Sequence, residues 1–414
     1  MRIIIYSFSI FLSVLTYSQS IREIYQEGIK AYEEKNYTLF NEKMFTIDTM
    51  RPNYPAVVYN LAGSYALIGN TNQALETLNK YILMDATQDF SQDSDFASLL
   101  ETEGFKEVTQ KQKELTETIE VMEVHQFPIL TSHPESITYS KKQRAFFMGG
   151  VRDGNIWKIK PGSLPELWVE SPKNSWAVMG AEVSADEKYL WVCTSSMNNY
   201  HEYNQNEEGF ASVIKYDIRN RKALETFYLT DGHNFGDLIS DNKGNVYISD
   251  GTANKLYWIS VENGKLEEFV DLSKTVFNLQ GLALNTDQTD IYLSDYIDGI
   301  YKVNIATKNT SKLAIEGEDI LIKGIDGLYF KDNSLIGLHN GSNPNRVIRY
   351  QLSEDGNAII RKDIIAQGGL LGEPTQGTWI DGTLYYIVNS PWGAYDRDGN
   401  FAPSGENIIL GKAE

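Results

Sequence analysis

A six-fold repeat of one strand type constrains the fold of this chain more than any other feature of its sequence. After Phe127, short apolar or aromatic runs alternate with turns rich in Gly, Asn and Asp, and the hydrophobic period becomes two. The recurring strand stands at 144–148, 189–193, 245–250, 290–295, 334–339 and 384–389. A partner strand follows each copy, and a shorter strand precedes each copy.

Each of the shorter strands begins at a two-residue junction. The six junctions are Glu135-Ser136, Met179-Gly180, Gly236-Asp237, Gln280-Gly281, Asp326-Gly327 and Gln376-Gly377. Successive junctions lie 44, 57, 44, 46 and 50 residues apart. Four strands in a repeat of this length fit a propeller blade, because each small sheet buries its faces only against its neighbours in a ring. The sequence therefore predicts a mainly β fold, a six-bladed β-propeller over residues 119–414.

The sixth repeat has three strands before the sequence stops at Glu414, so we expect its outer strand to come from elsewhere. The segment from Ile119 to His125 precedes the first blade and has an extended pattern. If this segment completes the sixth blade, both ends of the ring share one sheet, and the ring cannot open without breaking a strand ladder.

Residues 19–118 have helical spacing instead, with a repeat of about 34 residues. The stretch 59–75 resembles a tetratricopeptide repeat, in which small residues let two helices pack closely and Gly69-Asn70 forms the turn. A weaker copy lies at 28–52, and the segment 95–105 would cap the array. The sequence predicts an all-α, tetratricopeptide-like domain. It either docks a protein partner or merely packs on the propeller.

Residues 1–18 read as a signal peptide. Arg2 supplies the positive start, and 3–15 is an apolar run too short to span a membrane comfortably. No second apolar run follows, so we expect an exported protein, periplasmic or secreted, with no membrane span once the signal is removed. A retained anchor is the alternative.

The charge balance excludes two classes of partner. The formal net charge is −19 at pH 7. Nucleic acids and anionic membrane surfaces present no positive charge to such a surface, so neither is expected to bind. Cys193 is the only cysteine, so the chain has no internal disulfide.

From Phe127 to Glu414 the junctions and the Asn-Val-Tyr-Ile-Ser-Asp type of strand resemble the senescence marker protein/gluconolactonase family of six-bladed propellers, and more distantly the paraoxonases and strictosidine synthases. In that family a Glu, an Asn and an Asp from separate blades point into the central channel and hold one divalent metal. The resemblance implies that Glu135, Gln280 and Asp326 are the metal ligands here. Gln280 departs from the family's Asn, and Gly236 replaces a further Asn.

The residues alone point to similar chemistry. Two carboxylates and an amide suit a hard cation, calcium first and magnesium or another as alternatives, whereas five scattered His and one Cys do not suit zinc. A bound cation would polarise a lactone or ester carbonyl and lower the pKa of a coordinated water, while Asp326 or Asp237 accepts the proton. The sequence thus predicts a divalent-metal-dependent hydrolase of a lactone or related ester, with Asp326 and Asp237 as catalytic residues.

Further residues near the same face are predicted to bind the substrate: His233, His339, Gln376 and Trp392. Two long loops, 195–209 and 389–406, place aromatic and polar side chains over the channel mouth. Two rival functions stay open, because propellers host all of them. One is a non-catalytic propeller that binds a ligand or protein and docks through the helical repeats, and the other is a metal-free propeller of the strictosidine synthase kind.

Overall fold

The computed structural model describes residues 20–172, 175–403 and 407–414, so the predicted signal peptide lies outside the described part. Its helices α1–α5 are Ile21–Glu33, Tyr37–Met50, Pro55–Leu67, Thr71–Met84 and Glu103–Glu114. A capping box starts α1, where Ser20 and Glu23 each accept the backbone N–H of the other. Gly69 has a φ of 78°, which suits the expected turn between α3 and α4. No helix in these ranges is long and apolar enough to cross a membrane.

The rest of the described chain is built from short strands. The strands β1–β25 are Met122–Phe127, Pro134–Ser140, Ala145–Gly150, Ile156–Ile159, Glu166–Val169, Ala177–Val183, Tyr189–Ser195, Ala211–Asp217, Lys222–Leu229, Phe235–Ser240, Val246–Asp250, Lys255–Ile259, Leu266–Asp271, Leu279–Leu284, Asp290–Asp295, Gly299–Asn304, Thr310–Lys312, Ala314–Ile315, Ile325–Lys331, Ser334–His339, Arg346–Leu352, Ala358–Gln367, Gly377–Ile380, Thr383–Ile387 and Ile408–Ala413. Six sheets follow one another along the chain: β2–β5, β6–β9, β10–β13, β14–β17, β19–β22 with β18 at the edge, and β23–β25 with β1. Their strands pair antiparallel, except that β18 pairs parallel with β22. The predicted six-bladed propeller is confirmed.

The sixth blade is completed by the strand that precedes the first blade. β1 pairs antiparallel with β25, from Met122 opposite Lys412 to Phe127 opposite Ile408. The expected closure is therefore present, and the start and end of the propeller share one ladder.

The repeated junction is a β-bulge in the first five blades. The register of each inner strand shifts at its junction, between 134 and 136, 178 and 180, 235 and 238, 279 and 282, and 325 and 327. A bulge leaves a residue out of the ladder and re-aims it, so the junction residues of these five blades can face the channel. The inner strands also approach closely. A Cβ on Gly281 would lie 2.4 Å from the carbonyl oxygen of Asp326.

The helical region packs on blade five, as one of the two sequence interpretations proposed. Residues of α3, α4 and α5 share one hydrophobic core with side chains of blades four and five. Arg346 of β21 is only 1% exposed, and its guanidinium donates to the carbonyl oxygens of Leu83 at 2.6 Å and Leu115 at 3.4 Å. These carbonyls end α4 and α5, where helix backbone acceptors lack internal partners. The likeness of the five helices to tetratricopeptide repeats stays a prediction.

Candidate functional site

The bulged junctions converge on a pocket of about 360 Å³ at one mouth of the channel. Glu135, Gln280 and Asp326, the three predicted metal ligands, all line this channel pocket, and so does Trp392. The rest of the wall contains both polar and apolar residues. They are Met179, Met197, Asn234, Gly236, Gly251, Thr252, Asn278, Leu279, Tyr296, Asn340 and Glu373. None of these lining residues is basic.

Glu135 is held by the long loop between β24 and β25. Its side chain is only 3% exposed, and its Oε2 accepts hydrogen bonds from Ser390 Oγ and Trp392 Nε1, each at 2.8 Å. Burial, together with the nearby charge of Asp326, raises the pKa of Glu135 well above its usual range. The loop therefore fixes one carboxylate oxygen, and Oε1 has no hydrogen bond to any residue that the structure describes.

Asp326 belongs to a second hydrogen-bonded chain. Its Oδ2 accepts from Asn340 Nδ2 at 2.6 Å, and Asn340 Oδ1 accepts in turn from the Tyr296 hydroxyl at 2.9 Å. Burial raises the pKa of Asp326 to about 6; the Asn340 hydrogen bond opposes this rise, and the charge of Glu373 adds to it. Among the described residues, Asp326 thus also has one oxygen held and one without a hydrogen bond.

Gln280 and Gly236 are the two junction residues that differ from the pattern of the family that the sequence resembles, and in the structure they lie next to each other. Gln280 Nε2 donates to Asn278 Oδ1 at 2.5 Å, which orients the amide. A Cβ built on Gly236 would lie 3.2 Å from Gln280 Oε1. The absent side chain at 236 leaves room for the longer amide at 280, so an amide oxygen still reaches the pocket.

Glu373 is a pocket residue that the sequence did not indicate. Burial raises its pKa, although backbone N–H groups of Gly393 and Trp392 donate to it. Its Oε2 is buried without a hydrogen-bond partner in the described part of the chain. Glu373 lies on the loop before the sixth junction and has no counterpart in the repeat, so no pattern marked it. With Glu135 and Asp326 it makes a third carboxylate at the pocket.

Gln376 separates the channel pocket from a second cavity at the other mouth. Its Nε2 crosses the channel and donates to the carbonyl oxygens of Met179 at 2.8 Å and Gly236 at 3.1 Å. The second cavity measures about 410 Å³ and is lined by Gln376 itself, Glu182 and Asp237. Gln376 is thus a bridge between blades rather than a wall of the channel pocket.

Whereas Asp326 lines the channel pocket, Asp237 lines that second cavity. Its carboxylate accepts the backbone N–H of Leu238 at 2.8 Å and of Leu282 at 3.0 Å, which ties blade three to blade four. Burial raises the pKa of Asp237 to about 7. The two predicted catalytic carboxylates therefore line different cavities, although the charge of Asp326 adds to the rise in the pKa of Asp237.

The two predicted substrate-binding histidines do not line the channel pocket either. His339 is fully buried, with Nδ1 at 2.9 Å from Lys323 O and Nε2 at 2.6 Å from the Tyr350 hydroxyl. Burial lowers the pKa of His339 to about 3, which keeps it neutral. His233 Nδ1 bonds Asp250 Oδ2 at 2.6 Å. Both imidazoles brace loops around the inner strands.

The donor set of the channel pocket fits a hard cation. All the predicted ligand atoms are oxygens, no basic side chain lines the pocket, and the buried Glu373 Oε2 has no hydrogen-bond partner among the described residues. Within the described ranges, however, no three His, Cys, Asp or Glu side chains are grouped closely enough to hold a metal ion. A cation would therefore take at most two of the carboxylates, with the Gln280 amide and water completing its shell.

Comparison with known proteins supports the fold. No protein-family model matches the sequence, and no curated protein matches it. The Malassezia sympodialis allergen Mala s 1 is similar in structure, with 11% identity, 70% of this chain and 95% of that chain covered, and a TM-score of 0.55. At this identity the similarity shows the propeller fold alone.

Two lower-scoring propellers are also similar to this chain. The calcium-binding protein regucalcin from Agrobacterium tumefaciens has 16% identity, 70% and 94% coverage and a TM-score of 0.48. A gluconolactonase from Xanthomonas campestris has 12% identity, 72% and 98% coverage and a TM-score of 0.45.

Proposed function

We propose that this protein is an exported, divalent-cation-dependent hydrolase of a lactone or related ester, with calcium as the cation. One observation supports this most strongly: Glu135, Gln280 and Asp326 come from three blades, lie at junction bulges and line one pocket of about 360 Å³. That volume suits a small ligand.

The chain's own residues suggest how the reaction proceeds. When bound, a hard cation supplies polarisation of the substrate carbonyl and a lowered pKa for water. Asp326, whose pKa is raised to about 6, is suited to accept a proton near neutral pH. Asp237 lies beyond Gln376, so this role falls to Asp326. Trp392 and Tyr296 form an aromatic part of the wall of the channel pocket, against which the substrate can pack.

The acidic pocket also favours release of the product. Hydrolysis converts a neutral lactone into a carboxylate, and the pocket has Glu135, Asp326 and Glu373 but no basic side chain in its lining. Repulsion between like charges in a partly buried site is stronger than in water. The cation offsets the charge of the carboxylates that bind it, so we expect the remaining carboxylate to repel the anionic product more than the neutral substrate.

The alternative is a non-catalytic propeller that binds a ligand or a protein. It is favoured by the absence, in the part of the chain described here, of a three-residue metal cluster. In that case the pocket binds a small ligand through its hydrogen-bonding oxygens, and nothing is turned over.

A hydrolysis panel distinguishes the two functions. Purified protein is incubated with aldonolactones, simple aliphatic lactones and aryl esters, in calcium chloride or in EDTA. We expect hydrolysis of at least one lactone or ester in calcium and its loss in EDTA. Calcium binding without turnover of any substrate would support the binding propeller, and neither binding nor turnover would remove the hydrolase proposal.

Calcium is expected to stabilise the protein in a pH-dependent manner. The pKa of Asp326 is raised to about 6 in the folded state. Its stabilising contribution is therefore complete below its unfolded pKa of about 4 and is lost as the pH rises through about 6. A bound cation offsets the repulsion that remains above that pH. At 100 times its dissociation constant we expect calcium to raise the melting temperature by about 5 °C at pH 7.5 and by less than about 1 °C at pH 5.

Differential scanning fluorimetry at the two pH values measures this effect, with magnesium and sodium at equal ionic strength as controls. An equal shift at pH 5 and pH 7.5 would contradict the involvement of the buried carboxylates.

A further inference from the structure

The helical region has a pocket of about 510 Å³ at the end that begins with α1. It lies between the start of α1, the end of α2 and the start of α3, and we call it the terminal pocket. Its walls include Ile21, Arg22, Tyr25, Ile47, Arg51 and Tyr54. Ile21 is 36% exposed and Tyr54 is 52% exposed, so a large apolar surface faces solvent here.

The hydrophobic core at this end of the helical region contains no propeller residue, although Asn53 Nδ2, in the turn between α2 and α3, donates to Ile297 O of blade four at 2.9 Å. The core between α1, α2 and α3 contains Ile24, Phe40, Met44 and Leu61, and all of its members lie between 24 and 65. The attachment to blade five is made instead by α3, α4 and α5. A helical array whose last face is apolar, and is not covered by any other described part of the chain, presents a surface on which another element can pack.

The charge at the terminal pocket is opposite in sign to that of the whole protein. Neither the Arg22 nor the Arg51 guanidinium has an ion pair or hydrogen bond within the described ranges. By contrast, Lys43 on α2 pairs with Glu27 at 2.7 Å, and Lys80 on α4 pairs with Asp48 at 3.2 Å. The two arginines are thus free to bind an external anion, although the chain has a net charge of −19.

The charge near the terminal pocket, rather than the net charge of the protein, determines whether an anion binds there. At physiological salt the Debye length is about 8 Å, so the distant acidic surface is largely screened while contacts at the guanidinium groups are not. Arginine also binds carboxylates through two parallel hydrogen bonds, which gives both direction and strength.

We propose that the terminal pocket binds a peptide segment of a partner protein that carries an apolar side chain next to carboxylates. The apolar side chain packs between Ile21 and Tyr54, and the carboxylates pair with Arg22 and Arg51. This site is separate from the channel pocket and does not depend on the proposed hydrolysis.

The first test uses 8-anilinonaphthalene-1-sulfonate, which combines apolar rings with one anionic group. We expect saturable fluorescence enhancement with the wild-type protein, because the acidic channel pocket repels this anion and the terminal pocket attracts it. The double variant Arg22→Glu/Arg51→Glu should bind the dye at least tenfold more weakly, and Tyr54→Ser, which removes apolar wall without changing charge, should also weaken binding. Circular dichroism checks that the variants remain folded.

The matched control is Arg219→Glu/Lys265→Glu, which makes the same change of charge at exposed positions of the propeller. We expect its dye affinity to stay within twofold of the wild type. If both double variants lose affinity equally, or if the dye shows no saturable binding, the terminal pocket is not an anion-binding apolar site.

The second test is displacement of the dye by two peptides, acetyl-Glu-Glu-Leu-Phe-Glu-Glu-amide and the same peptide with lysine in place of glutamate. We expect only the acidic peptide to displace the dye. Equal displacement by both would overturn the charge complementarity. A dimer in light scattering that Arg22→Glu/Arg51→Glu dissociates would show instead that a second copy of this chain covers the pocket.

Discussion

Asp326→Asn is expected to lower the affinity of the protein for calcium at least about 100-fold and to reduce lactone or ester hydrolysis to the same extent. The substitution removes one of two full charges among the proposed ligands. It also places an amide opposite Asn340 Nδ2, which already donates to Oδ2 at 2.6 Å. Two donors then face each other, so the side chain turns and the remaining oxygen leaves its place. Isothermal titration with calcium chloride measures the affinity, and initial rates measure hydrolysis.

The control for this variant is Asp381→Asn, which removes the same charge from an exposed ion pair with Lys141 at 2.9 Å. Such pairs contribute little to stability or function. We expect wild-type affinity and wild-type rates from it. Calcium affinity that stays within threefold in Asp326→Asn would exclude Asp326 as a ligand.

Arg346→Leu is expected to lower the free energy of unfolding of the helical region by about 3 kcal/mol. The guanidinium donates to Leu83 O, Leu115 O and Gln367 Oε1, the last at 2.7 Å. Leucine leaves these buried acceptors without a donor and fills only part of the volume that the arginine side chain occupies. The change therefore weakens the attachment of α4 and α5 to blade five more than it weakens the ring.

Two optical signals separate these effects. All seven tryptophans lie between 157 and 392, in the propeller, and none lies in the helical region. In urea we expect the circular dichroism change at 222 nm, which reports mainly the helices, to precede the tryptophan fluorescence change in Arg346→Leu. Arg349→Leu, on the same strand but partly exposed, is the control. Unshifted, coincident transitions in Arg346→Leu would show that the buried arginine does not hold the two parts together.

The ring itself could be predicted because its information is local and repeated. Each blade has the same strand types, and the junction spacing of 44 to 57 residues leaves little freedom for other arrangements. The same repeat placed Glu135, Gln280 and Asp326 at equivalent positions, and equivalent positions in a ring face one channel. The structure adds the reason: five of the junctions are bulges.

The remaining site residues depend on contacts that the repeat does not encode. Glu373 lies on the loop before β23, and backbone N–H groups of Gly393 and Trp392 in the loop after β24 donate to it, which is a contact between two loops. In blade three the bulge spans both Gly236 and Asp237, and Asp237 lines the cavity at the opposite mouth. Neither outcome follows from hydrophobic periodicity, which fixes strand faces but not loop paths.

The structural role of His339 could have been predicted from its position in the repeated strand. His339 stands at the end of β20, where β11 and β15 end in Asp250 and Asp295. Those two buried carboxylates accept backbone N–H groups of the preceding loop, such as Asn234 N at 3.1 Å and Asn278 N at 3.0 Å. A residue at that position holds the neighbouring loop by hydrogen bonds. The same structural role for His339 follows from its place in the repeat.

The most direct test of the proposed cation site is isothermal titration of the wild-type protein with calcium chloride, after dialysis against EDTA and then metal-free buffer at pH 7.5. We predict one equivalent of calcium bound per chain, with release of less than one proton because the carboxylates are partly protonated when the pocket is empty. No saturable heat up to millimolar calcium, and none with magnesium, would contradict a cation site built by Glu135, Gln280 and Asp326.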